Sequence, residues 1–197
     1  IRVDPLSLDF GLNALEDGAT GTQVVTVTNV GGAILGLRDI FIGGGPFDLT
    51  WGSREALEPS ESLDVLVTYT PTQAQVQTGE LLVQSDDPDS GTVEVALQGE
   101  GAAPRMVLQP SFHDFGTLDP EQSEQVQVAI LNEGNAPLSV TDVQYSASSG
   151  ELQLGSLSPL PWTLGPGEFS TVAVHYTPVD DSPDEGFVTV TGNDPDT

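Results

Sequence analysis

The chain says nearly the same thing twice. Ser85-Asp86-Asp87-Pro88-Asp89-Ser90 is answered by Gly192-Asn193-Asp194-Pro195-Asp196-Thr197, and Asp9-Phe10-Gly11 by Asp114-Phe115-Gly116. Asn29-Val30-Gly31 returns as Asn132-Glu133-Gly134, Leu57-Glu58-Pro59-Ser60-Glu61 as Leu164-Gly165-Pro166-Gly167-Glu168, and Tyr69-Thr70-Pro71 as Tyr176-Thr177-Pro178. Across these pairs the offset stays between 103 and 107 residues. A period of that size marks two copies of one domain, with small insertions and deletions confined to loops. The expected units are residues 1–102 and 103–197, joined through Ala102-Ala103-Pro104-Arg105.

Within each copy, apolar residues alternate with polar ones over short runs. Val25 and Val27 share one face of a run whose other face carries Thr26 and Thr28. Leu63, Val65, Val67 and Tyr69 do the same in Ser62–Thr70, and Leu81 and Val83 in Glu80–Gln84. Their counterparts are Val128 and Ile130, Val172 and Val174, and Val188 and Val190. A period of two residues, broken by Gly, Pro, Asn and Asp every 8 to 12 residues or so, indicates half-buried strands joined by turns. Pro5 cannot donate to a sheet ladder and is placed at an edge or where the chain switches sheets; Asn13–Gly21 reads as a polar turn region. The expected fold is all-β: two tandem immunoglobulin-like antiparallel β-sandwiches of about seven strands each.

The copies part company after the repeated turn. The first continues with Thr92–Gly99, whose Val93, Val95 and Leu97 point inward, whereas the second reaches Thr197. The second sandwich is therefore expected to lack its final strand and to leave an unpaired edge beside Val188 and Val190. Two readings follow, a chain that continues or a strand donated by another chain. Donation head-to-tail between identical copies does not close on itself and gives a filament.

Composition narrows the function classes. There are 30 acidic residues against 4 basic ones, all arginine, for a formal net charge of -26. Such a surface repels nucleic acid and anionic membrane. No apolar run approaches the roughly 20 residues of a membrane helix, so no insertion is expected. With no cysteine, disulfides and cysteine-based metal or redox sites are excluded.

Taken together, the Pro and Asp-Phe-Gly near the start, Asn-x-Gly, Tyr-Thr-Pro, Asp/Asn-Asp-Pro and the final Gly99-Glu100-Gly101 resemble the abnormal-spindle/Hydin-type immunoglobulin-like repeat, in its bacterial choice-of-anchor D form. The resemblance covers the chain twice. It implies a non-catalytic spacer or binding module of a bacterial extracellular or cell-surface protein, and it supplies no catalytic residues.

The residues themselves support no catalytic constellation either. Asp9-Phe10-Gly11 lacks the Gly-rich loop, lysine and catalytic loop of a kinase. Asp86, Asp87, Asp89, Asp194 and Asp196 are candidate calcium ligands, as are Asp180, Asp181, Asp184 and Glu185. None has EF-hand spacing, and side-chain-capped turns are the alternative reading. His113 and His175 would need acidic neighbours to hold a metal. Tyr69 and Tyr176 are expected to be buried with their hydroxyls on backbone groups. The function expected is a structural or adhesive module with protein partners, self-assembly included. The alternative is a carbohydrate- or calcium-binding accessory module, whose signature would be exposed Trp51 or Trp162 near carboxylates.

Overall fold

The computed structural model describes residues 1–15, 18, 20–120 and 122–196. Glu16, Asp17 and Ala19 of the Asn13–Gly21 connection, Glu121, and Thr197 at the end of the second turn copy lie outside the described residues. The chain divides into two compact units, Ile1–Ala102 and Ala103–Thr197.

The first unit holds β1 (Arg2–Asp4), β2 (Ser7–Ala14), β3 (Gly21–Thr28), β4 (Leu35–Gly43), β5 (Phe47–Trp51), β6 (Ala56–Leu57), β7 (Ser62–Tyr69), β8 (Val76–Ser85) and β9 (Thr92–Ala102). One sheet runs β1-β3-β7-β5 and the other β2-β9-β8-β4-β6. The alternation decides which side chains meet between them. Val65, Val67 and Tyr69 on β7, Val25 and Val27 on β3, and Leu81, Val83, Val95 and Leu97 on β8 and β9 are all fully or almost fully buried. Phe10, Phe47 and Tyr69 stack at one end with ring centroids 5.0 to 5.7 Å apart.

One pairing departs from the antiparallel expectation. Pro5 interrupts the N-terminal extended segment, so β1 joins the first sheet and β2 crosses to the second. Arriving from that side, β2 runs parallel to β9, with Leu8 opposite Leu97. The crossing and the two-residue β6 bring the strand number above the seven expected.

The second unit holds β10 (Met106–Gln109), β11 (Glu124–Asn132), β12 (Leu138–Ala147), β13 (Leu152–Leu154), β14 (Trp162–Leu164), β15 (Phe169–Tyr176) and β16 (Gly186–Gly192). Its sheets run β10-β11-β15-β13 and β14-β12-β16. These orders repeat those of the first unit, with the counterparts of β9 and β2 left out. The expectation had removed only the last strand. The second loss accompanies the first: β2 is bonded into its sheet by β9 alone, and residues 112–119, which align with it, have no partner strand among the described residues and take no strand conformation.

Local chemistry common to both copies fixes the rest. A bulge separates Leu37 from Asp39 where β4 meets β8, and the same bulge separates Val140 from Asp142 where β12 meets β16. The side chain of Asn29 is buried, donating to the carbonyls of Ala33 (2.7 Å) and Leu57 (2.9 Å) and accepting from the Gly31 amide (2.9 Å). Asn132 repeats this on Ala136, Leu164 and Gly134 at 2.8, 2.9 and 3.0 Å. The turn before β7 is held by Glu61, whose carboxylate accepts from the Glu58 amide at 2.9 Å, as Glu168 accepts from Gly165 at 2.7 Å. Inside that turn Gly167 has φ 77° and its counterpart Ser60 has φ 71°.

Ser60 is exposed and adopts the left-handed conformation that glycine takes without steric cost. Ser60→Gly is therefore expected to stabilise the protein by about 1 kcal/mol, and Gly167→Ala to destabilise it by about as much; denaturant melts of the two variants check both signs. Asn29→Ala and Asn132→Ala each strand one buried carbonyl, that of Leu57 or Leu164, with a partly buried carbonyl and amide beside it. Each is expected to lower stability by about 3 kcal/mol in the same assay.

Candidate functional site

The position where the two units differ is the outer side of β16. Its inner side pairs antiparallel with β12, Val190 opposite Val143 and Val188 opposite Tyr145. In the first unit the equivalent strand, β8, is paired on both sides. Beyond it, Val93 lies opposite Val83, Val95 opposite Leu81, Leu97 opposite Gly79, and Gly99 opposite Gln77. Among the described residues no strand pairs with β16 on that side. Packing reports the difference: Leu81 and Val83 are fully buried, whereas their counterparts Val188 and Val190 are half-buried.

The same contrast reaches the tyrosines. Tyr69 is fully buried beneath Gly99, where an added Cβ would lie 2.4 Å from the ring. Tyr176 is half-buried, packed on Phe115 at 5.3 Å. Neither hydroxyl reaches backbone as expected from sequence. Tyr69 donates to the side chain of Gln77 (3.1 Å) and Tyr176 to that of Asp184 (3.3 Å). Each tyrosine ends its strand, and the acceptor comes from the start of β8 in the first unit and from just before β16 in the second.

Asp184 belongs to a carboxylate group assembled by the fold. Glu151 is brought to Tyr176 by β13, whose Leu152 pairs with that tyrosine, and its carboxylate accepts from the Val179 amide at 3.0 Å. Asp180 accepts from the Ser182 amide at 2.7 Å, and Asp184 from the Ser148 hydroxyl at 3.2 Å. The Val179 amide is the largest influence on Glu151 and pulls its carboxyl down, but desolvation and the charges of Asp184 and Asp180 together push it above the ordinary value. Asp184 moves the other way, lowered first by the Ser149 hydroxyl and then by Ser148, Glu151 and Tyr176 against its own desolvation. On acidification the pair takes its first proton on Glu151. Tyr176 is raised, by desolvation first and then by Asp184, Glu151 and Asp180.

Among the described residues the first unit has no such group at the matching place. Thr70 donates to the Pro46 carbonyl as Thr177 donates to that of Glu151, so Pro46 stands where Glu151 stands. Gln73 and Gln77 occupy the places of Asp180 and Asp184. Three neutral positions around Tyr69 have become three carboxylates around Tyr176. Of these, sequence inspection alone reached Asp180 and Asp184, as calcium candidates; Glu151 and the tyrosine were missed. Aligning the repeats position by position supplies the missing signal.

The aspartates of the repeated turn are engaged by the protein itself. Asp86 accepts from the Gly36 amide at 2.8 Å, a task Asn193 performs for Ser139 at 2.7 Å. Asp87 accepts from the Ile1 amino group and from the amides of Asp89 (3.0 Å) and Ser90 (2.9 Å). These contacts, the amino group's above all, hold its carboxyl below the ordinary value. Buried Asp194 accepts from the Met106 amide at 2.6 Å and that of Asp196 at 3.0 Å. Asp89 and Asp196 are exposed. Among the described residues, no three His, Asp or Glu side chains converge as a metal site.

His113 packs edge-on against Phe115 at 4.6 Å, and His175 lies in β15 between Gln125 and Gln153 on the flanking strands. The tryptophans do not have the exposed placement a carbohydrate platform needs. Trp51 packs against the first core and Trp162 against the second, because β5 and β14 each turn one face inward.

No family model matches the chain, and no curated protein matches it. Among solved structures, the secreted serine protease VesC from Vibrio cholerae is 16% identical over 93% of this chain and 49% of that one, with a TM-score of 0.39. This chain thus spans about half of the protease's length. A protein of unknown function from Porphyromonas gingivalis is 17% identical over 99% of this chain and 93% of that one, with a TM-score of 0.39. The chaperone–tip adhesion subunit pre-assembly complex CsuC–CsuE from Acinetobacter baumannii gives 11% identity, 95% and 97% coverage and a TM-score of 0.35. Likenesses this distant carry no functional argument.

Because Glu151 titrates above its ordinary value of 4.5, its ionised form opposes folding at neutral pH and its protonated form does not. Glu151→Gln keeps the acceptor for Val179 and removes the charge. The variant is expected to melt higher than the parent at neutral pH, the gain fading as pH falls through the folded-state value. Thermal melts across that range test it, and a gain that persists in acid would contradict the charge account.

Proposed function

We propose that the chain is a non-catalytic structural module of a bacterial extracellular or cell-surface protein. Its first sandwich is a closed spacer, and its second is an assembly unit that accepts an extended strand along β16. The observation that carries this reading is one sheet position in two states. β9 fills it in the first unit, and in the second no strand among the described residues lies beside β16 on that side, where Val188 and Val190 are half-buried.

An exposed strand edge is a template for pairing with another segment, main-chain hydrogen bonds supplying affinity and alternate side chains specificity. The charge of -26 favours protein partners over nucleic acid or anionic lipid. The resemblance to abnormal-spindle/Hydin-type repeats agrees with a spacer or binding role. A second copy of the chain is one possible donor, and head-to-tail donation would then build a filament.

Hydrogen exchange on the full chain tests the reading. Amides of β16 are expected to exchange much faster than those of β8, and a synthetic peptide of the Thr92–Ala102 sequence at millimolar concentration is expected to slow them. Equal protection of β8 and β16 without added strand, or no response to any strand peptide, would overturn it. Sedimentation of the chain alone reports whether copies donate to one another.

A further inference from the structure

The two copies differ in charge on the outer face of one sheet. Side chains that alternate with the buried valines of β3 and β7 point away from the first core, and those of β11 and β15 do the same in the second. The β1-β3-β7-β5 and β10-β11-β15-β13 sheets share one register, so their faces compare row by row. Arg2, Thr28 and Ser62 stand side by side across the first; Val107, Leu131 and Phe169 hold the same places in the second. The next row, Asp4, Thr26 and Asp64, becomes Gln109, Ala129 and Thr171. On the edge strand, Asp48 opposite Thr68 becomes Gln153 opposite His175.

Every Arg and Asp of the first face is therefore replaced by a neutral residue, and a polar row by an apolar one. Among the described residues, the four strands of the second sheet present no Lys, Arg, Asp or Glu on this face. The Arg105–Glu133 pair, 2.8 Å apart, stands just beyond Val107 and Leu131 and cancels its own charge. Phe169 is 63% exposed. In the first copy Ser62 and Thr28 join hydroxyls at 2.9 Å, and Asp64 accepts from Thr26 at 2.8 Å; Phe169, Leu131 and Ala129 offer no polar side-chain atom for either bond. The fold does not require the exchange, since the first copy builds the same sheet with the charges in place.

What the exchange alters is the partner this face admits. At a net charge of -26, like-charge repulsion keeps copies apart wherever their acids meet. A charge-free face removes that barrier, and the gain is largest for a partner of the same sign. A glycan would lose the carboxylates that accept from its hydroxyls, and a basic partner would lose its attraction. The chemistry is also self-matching. A two-fold axis along β11 lays the apolar row on itself, Leu131 on Leu131 and Phe169 on Val107. It sets Gln125 and Gln127 against their own copies, and a carboxamide carries both donor and acceptor.

We propose that the outer face of the β10-β11-β15-β13 sheet is a self-association surface through which two copies of the chain pair face to face as a closed dimer. The face measures about 20 Å by about 20 Å, so pairing covers roughly 800 Å² over both copies, about half of a standard interface. The dimer is accordingly weak and forms where salt screens the charge outside the face. It uses the face of a sheet and leaves the β16 edge free, so it stands apart from the strand-accepting reading.

Sedimentation of the full chain at about 0.05 M and about 1 M sodium chloride tests the proposal, with dimerisation expected to be about tenfold tighter at the higher salt. Phe169→Ser and Thr171→Asp each install the first copy's residue at its matching place, so circular dichroism is expected to show both variants folded. Phe169→Ser is expected to weaken dimerisation about tenfold at either salt, and Thr171→Asp to weaken it more at low salt than at high. Val24→Ser, on the outer face of the first unit, is expected to leave it unchanged. A chain that stays monomeric at about 1 M salt and about 1 mM protein, or a dimer that neither second-unit variant weakens, would overturn the proposal. So would a dimer that protects β16 amides or dissociates with the Thr92–Ala102 peptide, because its contact would then be the strand edge.

Discussion

The buried carboxamide of Asn29, with its twin Asn132, ties the two sheets of each sandwich together. It sits at the end of a strand in one sheet and donates to the carbonyl of a residue in the short edge strand of the other, Leu57 or Leu164. Its own backbone amide and carbonyl bond the turn that leads into the next strand, through Glu61 and Ser60 or Glu168 and Gly167. A carboxamide offers two donors and an acceptor oxygen with two lone pairs. Hydrophobic pressure between two sheets is non-directional and would tolerate sliding. A carboxamide that must satisfy the turn beside it and a buried carbonyl of the opposite sheet does not, because each lost partner is costly. Given that pin, the inward valines meet in one register.

The pin is intact in both units, so the second sandwich retains its architecture without the outermost strand. What the strand adds is closure. Leu97 opposite Leu8 holds β2 in its sheet, Gly99 lies over Tyr69, and Val93 and Val95 cover Val83 and Leu81. Where no such strand lies among the described residues, the differences appear together: residues 112–119 form no strand, Tyr176 is half-exposed, and Val188 and Val190 are half-buried. These are one effect seen at several places, since each group depended on the same neighbour.

The all-β, immunoglobulin-like character was legible because its signals are local. Alternation within eight residues assigns a face, and Asn, Asp, Gly and Pro mark the turns that recur. Signals that need three dimensions were hidden. Nothing in Ser7–Ala14 says that its partner would run parallel, since direction depends on which side of the sheet the chain enters after Pro5. Asn29 was readable as a turn former and not as a buried cross-link. Glu151 lies 33 residues from Asp184, and only the β13–β15 pairing brings the two to one tyrosine. The aspartates of the repeated turn showed the opposite problem. Their clustering suggested a cation, while the fold uses the oxygens of Asp86, Asp87 and Asp194 to cap amides.

An unpaired strand edge in a soluble protein is a hazard unless something limits what can pair with it. Here the limit is electrostatic and positional. Pro183 precedes β16 and cannot donate to a ladder. Glu151, Asp180 and Asp184 crowd the same end, and they are set against a surface that is already strongly acidic. Discrimination between partners depends on what repels the wrong one as much as on what attracts the right one. Replacing Pro46, Gln73 and Gln77 of the first copy by three acids in the second leaves the fold unchanged, because these groups lie at the rim around the tyrosine and outside the valine core.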